Sequence, residues 1–160
     1  MRPGGSRSVA TGRGPDRGGD GAPPSTPERS SPMRPATVRT RAGKFQQSVT
    51  LGPHELVADE PAESGGEDQG PAPHDFLLAA LGACTSMTVK MYADRKGWPL
   101  TAVRVELSQE KQGTAHVFHR VVHLEGDLDD EQRARLLDIA QKCPVHRTLS
   151  GEIRIESALG

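Results

Sequence analysis

Residues 73–97 read Pro73-His-Asp-Phe-Leu-Leu-Ala-Ala-Leu-Gly-Ala-Cys-Thr-Ser-Met-Thr-Val-Lys-Met-Tyr-Ala-Asp-Arg-Lys-Gly97 and form the longest apolar-periodic segment of the 160-residue chain. Leu77, Leu81, Cys84, Thr88 and Met91 recur at steps of four and three, one stripe of an α-helix, which predicts that Cys84 lies on the buried face. Pro73 suits the first helical position, where its missing N–H would have no partner. Asp75 favours the positive end of the helix dipole, and Gly97 before Trp98-Pro99 is a stop. At 1.5 Å per residue the helix would run about 36 Å, the width of a small domain. The rest of the chain must pack on it.

Upstream, the composition changes. Residues 1–32 hold 7 Gly, 6 Pro and 5 Ser with almost no large apolar side chain, so burial cannot offset the entropy of ordering them. The expectation is a disordered tail over 1–35 and one domain over 36–160. Met33, just before a β-prone run, leaves open a start at that residue.

Of 20 Lys and Arg the tail holds 5, and of 21 Asp and Glu it holds 3, so the chain from Met33 is net negative by three. That balance, with only Phe45, Phe76, Phe118, Tyr92 and Trp98 as aromatics, argues against a nucleic-acid surface. No secretory-type apolar run is found in the tail, and no segment reads as the roughly 20 apolar residues of a membrane span. The expected setting is the cytoplasm. Two cysteines in a reducing compartment point away from a structural disulfide.

From Thr37 to Asp59, apolar residues are punctuated by Arg41-Ala-Gly43 and Gly52-Pro53, which predicts three short strands joined by two turns. Asp59 to Pro71 has no periodicity and many breakers, hence a solvated acidic loop without Ca²⁺-ligand spacing. After the helix, Val103, Val105 and Leu107 alternate with polar residues. Gly113-Thr114 turns the chain, and Val117 to Leu124 supplies an antiparallel partner. On that strand His119 and His123 share a face and His116 points the other way, so the three do not converge on a metal.

Asp129 and Gln132 form a capping-box signature for a helix carrying Leu136, Leu137, Ile139 and Ala140 on its apolar side. Pro144 ends that helix and starts a shorter one with Cys143 as N-cap. Glu152 to Glu156 alternates as a last strand with Ile153 and Ile155 inward. Clustered strands with separate helices indicate an α+β fold and a largely antiparallel sheet.

The two cysteines carry the chemistry. A reactive thiol needs a helix N-terminus or a cation to lower its pKa, and Cys143 precedes the Pro144 helix with His146 and Arg147 close behind. Cys84, mid-helix on an apolar stripe, is either inert packing or a nucleophile whose activating group comes from elsewhere in the fold.

Gly70 to Tyr92, Lys96-Gly-Trp-Pro-Leu100, Cys143-Pro-Val-His-Arg-Thr-Leu149, Ala58-Asp-Glu-Pro61 and Gly65-Gly66 together resemble the OsmC/Ohr superfamily, which includes osmotically induced and organic hydroperoxide resistance proteins. The resemblance runs from about Thr37 to the C-terminus. It implies an intertwined homodimer with the long helix at its centre and two sites between subunits, requiring no cofactor or metal.

It further implies that Cys84 attacks an organic hydroperoxide and that Cys143 condenses with the resulting sulfenic acid. An external dithiol then reduces the disulfide. Where the hydroperoxide resistance branch places a glutamate and an arginine beside its nucleophile, this chain has His74, with Asp75 next to it, and Lys44, with Arg41 nearby. A lysine supplies a point charge without the planar fork of arginine, and His74 can titrate near neutral pH. Two functions follow as expectations. One is a thiol-dependent peroxidase for organic hydroperoxides using Cys84, Cys143, His74 and Lys44. The alternative is a non-catalytic dimer that binds a small molecule in its apolar cleft.

Overall fold

The structure, a computed structural model, describes residues 34–160. Most of the tail expected over 1–35 lies outside the described residues. The elements are three strands, β1 (Ala36–Thr40), β2 (Gln47–Leu51) and β3 (His54–Ala58), and then the long helix α1 (Pro73–Lys96). A second pair of strands follows, β4 (Leu100–Gln112) and β5 (Ala115–Gly126), and then the helices α2 (Asp130–Ala140) and α3 (Pro144–Leu149). The order agrees with the α+β expectation. Strands β1, β2 and β3 form one antiparallel sheet, and β4 and β5 form a second.

Local chemistry explains the boundaries. Gly52 turns β2 into β3 at a φ of 61°, and Gly113 turns β4 into β5 at 60°, both in the left-handed region that favours glycine. Pro73 opens α1, the Asp75 carboxylate accepts the Ala72 N–H at 2.9 Å, and Gly97 closes the helix at a φ of 67°. The capping box of α2 is complete. Asp129 accepts the Gln132 N–H at 2.7 Å, and the Gln132 side chain accepts the Asp129 N–H at 3.2 Å.

The core lies where α1 meets β4, β5 and α2, around Val89, Ala93, Leu100, Leu128, Leu136 and Ala140. Which face of α1 is buried differs from the sequence expectation. The buried stripe is Leu81, Thr85, Val89 and Ala93, one residue round from Cys84 and Thr88, while Leu77 is 41% exposed and Met91 is 70% exposed. The helix is apolar on nearly every side, so its periodicity does not select a face. In α2, Leu137 is likewise exposed, and the core takes Leu136, Ile139 and Ala140.

Three further expectations are corrected. Residues 151–160 form no strand, and Ile153 and Ile155 are 56% and 85% exposed, because an extended segment needs a sheet edge to pair with and this one meets none. The loop after β3 is more than solvated acid. Asp59 is buried, and its carboxylate accepts N–H groups from Glu60, Glu67 and Gln69, with a single 3₁₀ turn at Ala62–Ser64 wrapped round it. Burial pushes the Asp59 carboxyl up, but the three N–H bonds outweigh it and hold its pKa below the ordinary carboxylate value. Finally, α1 is long and apolar enough, by length and composition, to cross a membrane, with an 18-residue stretch of mean hydropathy 1.3. That criterion is met equally by the core helix of a globular domain, and in one chain α1 buries a single stripe, Leu81, Thr85, Val89 and Ala93.

Candidate active site

Cys84 lies on α1 and Cys143 just before α3, nearly 60 residues apart in sequence, and packing of α3 on α1 brings the two thiols near enough for Cys143 to perturb Cys84. Both are free thiols. Cys143 is fully buried, and Cys84 is half-buried rather than sequestered on the core stripe. The N-terminus of α3 addresses both sulfurs: the His146 N–H donates to Cys143 Sγ at 3.3 Å, and the Val145 N–H faces Cys84. Cys143 as N-cap was legible from Pro144; Cys84 in the same place was not.

Burial pushes the Cys84 thiol up, and the neighbouring Cys143 adds to that rise. The Val145 N–H and the Thr88 hydroxyl pull it down without compensating, so its pKa lies above the ordinary value of 9.0. Within one chain, neither Lys44 nor Arg41 acts on this thiol. Lys44 sits exposed in the turn between β1 and β2. His74 lies ten residues earlier on α1, about 15 Å along the helix axis at 1.5 Å per residue. It stacks on His116 of β5, with ring centroids 6.0 Å apart. The chain therefore brings the two cysteines together and leaves Lys44 and His74 away from them.

Arg120 is the cation that sequence reasoning missed. On β5 it occupies the register of Phe118, Val122 and Leu124, the face turned to α1, while His119 and His123 face away and pair with Glu110 and Glu106. Arg120 Nη1 donates to Thr85 Oγ1 at 2.9 Å and to the Ala140 carbonyl at 3.0 Å, and Nη2 donates to Gln141 Oε1 at 3.2 Å. Thr85 Oγ1 in turn stands 3.7 Å from Cys143 Sγ. The available signal was a charged residue in the inward register of an otherwise apolar strand, a position that requires polar partners.

Two concave surfaces adjoin α1, and neither cysteine lines them. A cleft of about 680 Å³ is lined by Leu81, His116, Phe118, Arg120, Gln141 and His146. An apolar groove of about 630 Å³ separates α1 from the first sheet, with Val38, Val49, Leu51, Phe76, Ala80 and Ala83 on its walls. Among the described residues, no group of three or more His, Cys, Asp or Glu could hold a metal ion.

The segment that carries both cysteines is covered by a known family. The family model described as OsmC-like protein matches residues 66–158, and the chain belongs to that family. Solved structures share the fold. An OsmC-like protein from Mycoplasma pneumoniae superposes with a TM-score of 0.62 at 16% identity, covering 76% of this chain and 90% of that one. An organic hydroperoxide resistance protein OsmC from Legionella pneumophila gives a TM-score of 0.58 at 19% identity, covering 77% and 93%. The organic hydroperoxide resistance protein OhrB of Bacillus subtilis gives 0.55 at 21% identity, covering 73% and 91%. No curated protein sequence matches significantly.

Proposed function

We propose that this protein is a thiol-dependent peroxidase that reduces organic hydroperoxides in a reducing cytoplasm, working as a homodimer with an external dithiol as electron donor. The observation that carries the proposal is the meeting of Cys84 with Cys143 at the start of α3. The Cys84 thiolate attacks one peroxide oxygen, so that an S–O bond forms, the O–O bond breaks and the alkoxide leaves to be protonated as the alcohol. Cys143 then attacks the sulfenic acid of Cys84. The S–S bond forms, the S–O bond breaks and water departs, which removes the sulfenic acid before irreversible over-oxidation. The dithiol restores both thiols by exchange.

Dimerisation is supported by apolar surface that one chain leaves open. Met87 and Met91 on α1 are 65% and 70% exposed, the apolar groove lies beside the same helix, and the Ile153 to Ile155 segment has no strand partner. A second subunit would also be the source of any cation at Cys84, and Lys44 is the residue proposed for that role, with His74 as an acid beside the site.

A second reading is favoured by one observation: the Cys84 pKa is raised, not lowered, by the groups of its own chain. On that reading the protein binds a small apolar molecule and its thiols stay idle. Mixing fully reduced protein with cumene hydroperoxide separates the two. The peroxidase predicts rapid loss of both thiols, with a Cys84 to Cys143 disulfide found by mass spectrometry. Cys84→Ser should consume nothing, and Cys143→Ser should complete one turnover and then over-oxidise. Equal consumption by Cys84→Ser and the parent would sink the peroxidase.

A further inference from the structure

Thr85 is fully buried in the middle of α1, and its hydroxyl has three neighbours. It lies 2.7 Å from the Leu81 carbonyl, 2.9 Å from Arg120 Nη1 and 3.7 Å from Cys143 Sγ. A threonine hydroxyl has one proton to give. The Leu81 carbonyl can only accept, so that proton goes to Leu81, and Arg120 can only donate, so it takes one lone pair of Oγ1. What remains for Cys143 is the other lone pair, which makes the Cys143 S–H the donor of the third contact. The thiol proton is thus turned toward Thr85, the His146 N–H takes one sulfur lone pair, and the other is left free on a sulfur that neighbours Cys84.

We propose that Thr85 and Arg120 are positioning residues for Cys143: Arg120 fixes the Thr85 hydroxyl, and the hydroxyl aims the Cys143 thiol so that its sulfur faces Cys84. This deepens the peroxidase reading and rests on it for its place in the cycle. The geometry itself concerns any attack of Cys143 on an electrophilic sulfur at Cys84. As the Cys143 proton passes to the hydroxide leaving the Cys84 sulfenic acid, completing water, or to solvent when the leaving group is a thiolate, the Thr85 hydroxyl can turn its own proton from Leu81 to the developing Cys143 thiolate while Arg120 keeps donating to the oxygen. Arg120 also holds the Ala140 carbonyl and Gln141, the end of α2 from which Cys143 follows, so one side chain fixes both the thiol's partner and the segment that carries it.

The test uses the full chain and an aromatic disulfide, 5,5′-dithiobis(2-nitrobenzoate), so that it does not depend on peroxidase activity. Cys84, the more exposed thiol, opens the reagent and releases one coloured thiolate. Cys143 then attacks the Cys84 mixed disulfide: the protein S–S bond forms, the mixed S–S bond breaks, and a second coloured thiolate leaves. Thr85→Val keeps the branched shape and removes the hydroxyl, whereas Thr85→Ser keeps the hydroxyl. Loss of a hydrogen bond that orients a reacting group corresponds to about tenfold in rate.

The second release should slow about tenfold in Thr85→Val and in Arg120→Met relative to the first release. Thr85→Ser should stay within about twofold of the parent. An unchanged second phase in Thr85→Val overturns the proposal, and so does equal slowing in Thr85→Ser, which would reduce Thr85 to packing. Should Arg120→Met fail to fold, the Thr85 pair decides alone. A parent that shows both phases here yet ignores cumene hydroperoxide would refute the peroxidase and leave the positioning result standing.

Discussion

Oxidation of the Cys84 and Cys143 pair should stabilise the chain by an amount that the topology sets. Joining α1 to the start of α3 closes a loop of about 60 residues, and loop-closure entropy lost from the unfolded chain gives about 4 kcal/mol. The two thiols are neighbours in the reduced protein, with Cys84 on α1 and Cys143 at the N-cap of α3, and α1 packs on α3. For a domain of this length, 4 kcal/mol corresponds to a rise in Tm of roughly 10 to 20 °C. The assay is thermal and denaturant unfolding of fully reduced and stoichiometrically oxidised protein at matched concentration, with Cys143→Ser treated identically as the control. Concentration must be matched because a dimer gains stability from association. An oxidised parent no more stable than the reduced one would refute the reasoning, as would peptide mapping that places the disulfide between chains.

Two other expectations follow from the pKa shifts. If the groups of its own chain alone set the Cys84 pKa, the rate of iodoacetamide modification there, followed by peptide mass spectrometry, should climb about tenfold per pH unit from pH 7 without a plateau near neutrality, because burial and Cys143 raise that pKa above its ordinary value. A plateau near pH 7 is instead the result expected of the dimeric peroxidase, in which a cation from the second subunit reaches the thiol. Asp59 should support acid stability: its folded pKa lies below the ordinary 3.8, so its contribution is complete above that value and is lost as pH falls through the lower folded one. Denaturant midpoints between pH 6 and 2 should therefore fall more steeply in the parent than in Asp59→Asn, with the difference confined to the region below about pH 4. Equal slopes would mean that the carboxylate contributes nothing.

Much of this architecture could be read because its causes are local. Gly52 and Gly113 turn hairpins through their own φ angles, Asp129 and Gln132 cap α2 across three residues, and Pro144 begins α3, which places Cys143 at an N-cap, although α2 has already ended at Ala140 rather than running up to the proline. Alternation in β4 and β5 assigned His119 and His123 to one face, and His116, which meets His74, to the other. Each of these depends on residues within one turn or one strand, so the sequence by itself determined them.

Tertiary structure decided the rest, wherever the deciding partner is far away in the chain. The nearly uniform apolar surface of α1 offers no preferred face, and packing against β4, β5 and α2 chose Thr85 and Val89 over Leu77 and Met91. Ile153 and Ile155 alternate as a strand should, but pairing requires an edge that periodicity does not supply. The meeting of Cys84 with Cys143, and the reach of Arg120 to Thr85, join segments some 35 to 60 residues apart. Contacts at that separation are made by the folded core, and no spacing along the chain encodes them.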